Sequence, residues 1–202
     1  MLPLDPTLTT LAERVVTAHN ASPCAVIAAA VFRENTWKRG IGAFGDVTEG
    51  GPAACPATVF DLASVTKPFT ALLVARLARR GIPAGVPLGT LLEEARGTPT
   101  EHISLELLLA HRGGLAGHRP LFAPLLEGRE VDRAAALREA ANARRKECVG
   151  EPPDEGFPPV YSDLGYLLVG EALSRGSGVP LAELVDDEVV SPLWLSIQEI
   201  EE

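Results

Sequence analysis

The chain is 202 residues long, 46% of them hydrophobic, with a formal net charge of −9 and a pI near 5.0. That length suits one domain or a small two-lobed one and supplies enough apolar residues for a core. The acidic balance argues against nucleic acid as a partner, because phosphate binding needs clustered Lys and Arg. No apolar run approaches the ~20 residues that a membrane span needs.

Residues 6–19 read as a helix with Leu8, Leu11, Val15 and Val16 on one side. The stretches PCAVIAAAVFRE and TWKRGIGAFGD read as two strands joined by a polar turn at Arg33-Glu34-Asn35. Within the second lies GIGAFG, Gly40 to Gly45, which matches the GxGxxG of dinucleotide sites. Such a site needs a helix opening directly after the glycines, so that its N-terminus meets the pyrophosphate. Here DVTEGGPAACP follows, which reads as loop through residue 58. A helix follows Ser64 and runs to about Arg80, with Gly81 as its C-cap and Val65, Phe69, Leu72, Leu73 and Leu77 as its apolar stripe. Pro68 is tolerated there, because first-turn N–H groups have no intrahelical partner.

SLELLLAHRGGL reads as a short helix that opens at Ser104 and stops at Gly113-Gly114. Residues 132–147 read as an Ala/Arg/Glu-rich helix, with Arg144-Arg145-Lys146 as its solvated end. EPPDEGFPP is loop. YSDLGYLLVGEALSRGSG opens a helix with Ser162 or Asp163 as N-cap and closes it at Gly176 or Gly178, and VPLAELVDDEVV is one more helix. Helix, two strands, then mostly helices make an α+β protein with a helical lobe.

The N-terminal MLPLDPTLTTLAERV has no basic region ahead of an apolar run, so no signal peptide is expected. Cys24, Cys55 and Cys148 form no CxxC pair and fit no metal pattern, which predicts buried or free thiols in a reducing cytoplasm. His102 and Glu106 lie four apart and read as a surface pair on a helix rather than a metal site. His111 sits in the LLAHRGGL turn, where a structural hydrogen bond is expected, whereas His19 and His118 have no context. Trp37 and Trp194 read as half-buried anchors.

Chemistry concentrates in three residues. A serine hydroxyl is a poor nucleophile at its free pKa and needs a base. A lysine serves as that base only when its pKa falls from about 10.4, through burial or the positive end of a helix. Ser64 and Lys67, at i and i+3 in a first turn, share one face, and the Ser64 N–H points where an oxyanion forms. Tyr161, in PPVYSDLGYLLVGEAL, stands just before a helix start, where a phenol can shuttle a proton between the serine and a leaving group.

TVFDLASVTKPFTALLVARLARRGI, ISLELLLAHRGGL and VYSDLGYLLVGEALSRGSGVPLAELVDDEVVSPL resemble, in order, three blocks of the serine β-lactamase-related family. That family includes class C β-lactamases, DD-peptidases and family VIII carboxylesterases. The resemblance implies a β-lactamase/transpeptidase-like fold across residues 1–202. Residues 1–62 would hold the N-terminal helix and strand pair, and 63–202 the nucleophile helix and helical lobe. It further implies that Ser64 is acylated, that Lys67 deprotonates it, and that Tyr161 is the tyrosine of the YxN motif, acting as general base and acid. No metal or organic cofactor is implied.

Two departures stand out. The YxN motif reads Tyr161-Ser162-Asp163, so a carboxylate replaces an amide. Asp163 would disfavour carboxylated substrates and hold Lys67 as the ammonium, or it would simply cap the helix. After SPL the family usually has Gly where Trp194 stands, and no strand with a KTG or HxG motif follows. A truncated copy, a fragment, or a sheet completed by a partner is therefore expected, with a homodimer through the open edge as one form. The resulting expectation is a cytoplasmic serine hydrolase acting on small esters or amides, rather than a true β-lactamase. The competing expectation is a non-catalytic remnant that binds an acyl ligand or a protein partner.

Overall fold

The computed structural model describes residues 3–19 and 22–193. The chain divides into two compact units, one up to Asp61 and one from Leu62 onward.

In the first unit, helix α1 (Pro6–His19) has proline in its first turn and is capped by Asp5, whose carboxylate accepts from the Leu8 N–H at 3.0 Å. Asp5 also donates its own N–H to the Ile41 carbonyl at 2.7 Å, tying the helix start to a strand. Strands β1 (Cys24–Arg33) and β2 (Thr36–Gly45) pair antiparallel, from Cys24 opposite Gly45 to Arg33 opposite Thr36. Glu34 and Asn35 close the hairpin with φ of 50° and 61°. That backbone matches the right-handed twist of the strands it joins. Trp37 is not half-buried as expected: it is exposed and meets Phe32 across the hairpin, ring centroids 5.2 Å apart. Trp194 lies outside the described residues.

The glycines of GIGAFG have a packing role. A Cβ on Gly42 would fall on the main chain of Leu8 and Thr9, and one on Gly40 would meet Leu8 Cδ1 at 3.0 Å. The bare strand lets α1 lie against β2. Gly42→Ala is therefore expected to lower stability by about 1–3 kcal/mol, the usual cost of overpacking. Urea denaturation checks this, and an unchanged midpoint would mean that α1 does not pack there.

In the second unit, a tight 3₁₀ turn (Ala63–Thr66) runs into α2 (Lys67–Leu77), and Gly81 ends the segment with φ 94°. The buried stripe of α2 is Thr70, Leu73, Val74 and Leu77, spaced i, i+3, i+4, i+7. Val65 and Leu72, expected on that stripe, are exposed. Val65 lies in the 3₁₀ turn, whose three-residue period is out of phase with the helix. Two one-turn helices that the periodicity does not reveal are α3 (Leu88–Leu91) and α5 (Ala123–Leu126). Helix α4 (Leu105–Leu109) opens at Ser104 as expected, and its hydroxyl accepts from the Leu107 N–H at 3.4 Å. His102 lies ahead of this helix, so it and Glu106 do not share a helical face.

Helix α6 (Arg133–Asn142) stops five residues short of the expected end. The segment beyond it pairs with residues 114–116, through Ala116 N–H to Ala143 O and Arg145 N–H to Gly114 O. Those bonds override a helix-favouring composition. Arg144 and Arg145 are consequently not a solvated end. Arg144 lies 5.3 Å from the Phe157 ring and donates to Gly150 O, and Arg145 donates to Pro158 O.

Helix α7 (Asp163–Ser177) is the axis of this unit and packs on α2, α3, α4, α6 and α8 (Leu181–Val185). Leu164, Leu168, Val169, Ala172 and Leu173 bury one side of it. Ser162 is its N-cap and Gly178, with φ 73°, its C-cap. Beyond α8 the chain widens into a π turn (Asp186–Val190).

Candidate active site

The second unit brings Ser64, Lys67, Tyr161 and Asp163 together, although the last two lie about a hundred residues on from the first two. Ser64 sits inside the 3₁₀ turn and Lys67 is the first residue of α2. Ala63, just before the serine, has φ 44°, a strained value for a residue with a Cβ. The Ser64 N–H precedes the first hydrogen bond of the turn, which runs from Val65 N to Leu62 O. By position it therefore has no intrahelical partner.

The Tyr161 hydroxyl donates to Ser64 Oγ at 2.6 Å, and Lys67 Nζ donates to the same oxygen at 3.2 Å. Lys67 Nζ also donates to Asp163 Oδ1 at 2.7 Å. It lies 4.9 Å from the Tyr161 ring centroid and 5.5 Å from that of Tyr166. The ammonium is thus held between two aromatic faces, a serine and a carboxylate.

Backbone bonds fix this arrangement. His111, itself at φ 60°, accepts the Ser162 N–H on Nδ1 at 3.1 Å, and its carbonyl accepts the Val160 N–H at 3.1 Å. The imidazole therefore carries its proton on Nε2. Its ring centroid lies 4.6 Å from that of Tyr161 and 5.3 Å from that of Tyr166. The structural role expected of His111 is what it performs. Ser162 Oγ donates to Ala116 O and accepts from Gly165 N, so the cap belongs to Ser162 and not to Asp163. The Asp163 N–H is taken by Gly117 O at 2.9 Å. Its carboxylate is left for Lys67.

The charges follow from this packing. Burial pulls the Lys67 pKa down, but hydrogen bonds to Asp163 and Tyr161 outweigh it, and the ammonium is held above its ordinary value. That is opposite to the shift a lysine base requires. Hydrogen bonds to Lys67 and then to Ser64 lower the Tyr161 phenol. Burial, then the Lys67 charge, lowers His111 and keeps it neutral at pH 7.

Two residues of the site carried little signal in the sequence. Tyr166 lies one turn after Asp163, on the same face of α7, and its hydroxyl donates to Leu109 O at 3.0 Å. Its place in an apolar stripe hid it. His118 Nδ1 stands 3.9 Å from Asp163 Oδ2, and its ring lies 6.2 Å from that of Phe122. Only the tertiary fold brings His118 there. Cys24 and Cys148 are buried, Cys55 is exposed, and all three are free thiols.

The fold is the β-lactamase/transpeptidase-like one, and in it a serine stands at a helix entrance, a lysine one turn on and a tyrosine ahead of a central helix. The Beta-lactamase family model matches residues 12–197, and the chain belongs to that family. It is 32% identical over 162 residues to esterase EstB of Burkholderia gladioli, covering 73% of this chain and 40% of that protein. It is 27% identical over 158 residues to penicillin-binding protein 4* of Bacillus subtilis, covering 76% of this chain and 33% of that one. A class C β-lactamase structure from Rhodobacter sphaeroides superposes with a TM-score of 0.68 at 22% identity, over 94% of this chain and 50% of that chain. The chain spans about a third to two fifths of the length of these two curated relatives.

Proposed function

We propose that this chain is a serine hydrolase that forms an acyl-enzyme on Ser64 and acts on small esters or amides. The observation that carries the proposal is the 2.6 Å hydrogen bond between Tyr161 and Ser64, beside a lysine held as the ammonium. The ionised phenolate reverses the sense of that bond, and Ser64 then donates its proton to Tyr161. Ser64 Oγ attacks the acyl carbon, a C–O bond forms, and the proton passes to Tyr161. The tetrahedral oxyanion is met by the Ser64 N–H. Tyr161 returns the proton to the leaving alcohol or amine as that bond breaks. Water then repeats the sequence and releases the acid. Throughout, Lys67 acts as a fixed positive charge.

The likeness to an esterase and to a penicillin-binding protein supports acyl transfer, and Asp163 favours esters and amides over carboxylated β-lactams. The test is intact mass after a fluorophosphonate and, separately, a penicillin. An adduct on the parent chain that is lost in Ser64→Ala is expected, with faster turnover of short-chain esters than of penicillin. No adduct on a folded chain would leave the non-catalytic reading, a lobe that binds an acyl ligand or a partner. A homodimer through the edge of the two-stranded sheet belongs to the proposal and is read by light scattering. Cytoplasmic residence is proposed with it, and among the described residues no helix is long and apolar enough to cross a membrane.

A further inference from the structure

The site presents an acceptor and hides its cation. The Lys67 side chain is only 16% exposed, and its ammonium already serves Ser64 Oγ and Asp163 Oδ1. It has little capacity left for a substrate anion. The Asp163 side chain is 50% exposed. One of its oxygens holds Lys67. The other stands 3.9 Å from His118 Nδ1, beyond hydrogen-bond reach. The main-chain donors on this side of the site are spent, Ser162 N–H on His111 and Asp163 N–H on Gly117. Lys67 touches both Ser64 Oγ and Asp163 Oδ1, so the carboxylate lies no farther from the nucleophile than those two short legs allow.

We propose that Asp163 sets charge selectivity. The preferred substrates are esters or amides whose acyl chain carries a cationic group close to the scissile carbonyl, and anionic acyl chains are rejected. This rests on the hydrolase reading and names its substrate class. The cation replaces bulk water at the free carboxylate oxygen while Lys67 keeps the other. An anion in the same place meets a like charge that Lys67, on the other oxygen, offsets only in part.

The test uses three para-nitrophenyl esters matched in acyl length: a neutral one, one ending in trimethylammonium and one ending in carboxylate. In the parent chain at low salt, kcat/KM for the cationic ester is expected to exceed that for the anionic ester by about tenfold or more, most of it in KM. The ratio shrinks as NaCl is raised, which needs no variant. In Asp163→Asn it falls to parity or inverts, because Lys67 then leaves the site positive. Asp163→Glu keeps it. The neutral ester absorbs any common effect of these changes on the base. A parent ratio near one, or a ratio unaltered in Asp163→Asn, overturns the charge selectivity while leaving the hydrolase reading intact. No Ser64-dependent turnover of the neutral ester overturns both.

Discussion

Tyr161→Phe is expected to slow acylation of Ser64 by about 10²–10⁴-fold, the usual contribution of a positioned acid–base group. The substitution removes one oxygen. Tyr161 is 52% exposed, so no buried partner is orphaned. Its ring keeps the contact with His111 and the face turned to Lys67. What disappears is the 2.6 Å bond to Ser64 and, with it, the destination of the serine proton. Single-turnover acylation by an activated ester gives the rate, and thermal denaturation alongside it shows that the fold persists. A variant that acylates as fast as the parent would remove Tyr161 from the proton path and return that role to Lys67.

The parts of this protein legible in the sequence are those with a local cause. Proline in a first turn, a glycine or serine at a helix end, and two apolar stretches around a polar turn place α1, the hairpin, α2, α4 and α7. The Ser64–Lys67 spacing is local too, since both belong to one turn. Tyr161 was reached through its position ahead of a helix start. What the sequence hid depends on long-range packing. Helix α6 stops early because residues 143–145 pair with residues 114–116, bonds that no helix propensity foretells. His118 meets Asp163 because Asp163 N–H and Ser162 Oγ hold residues 116 and 117 against the start of α7. The choice between a capping and a charge-bearing role for Asp163 turned on Ser162. Its hydroxyl takes the cap, and the neighbouring carboxylate is released toward Lys67.

This release gives Asp163 and Lys67 opposed effects on Tyr161, and it makes Lys67→Met the sharpest test of the mechanism. Tyr161 accepts the serine proton only as the phenolate. In the parent the bond to Lys67 is the largest influence lowering its pKa, so the rate climbs with pH toward a limb below the ordinary tyrosine value of about 10. Removing the ammonium removes that influence and leaves the Ser64 bond, which still lowers the phenol, against burial and the Asp163 charge, which push it up. The limb of kcat/KM therefore moves to higher pH. The loss at pH 7 is expected to reach about 10²-fold or more, and it shrinks as pH rises. Were Lys67 itself the base, the methionine variant would be impaired at every pH, with no alkaline recovery. Asp163→Asn moves the limb the other way, to lower pH, because it removes a charge that raises Tyr161. It does so under either assignment, since Asp163 also raises Lys67. The pH profile of Lys67→Met separates the two, and alkaline recovery is the result that fixes lysine as the charge and tyrosine as the base.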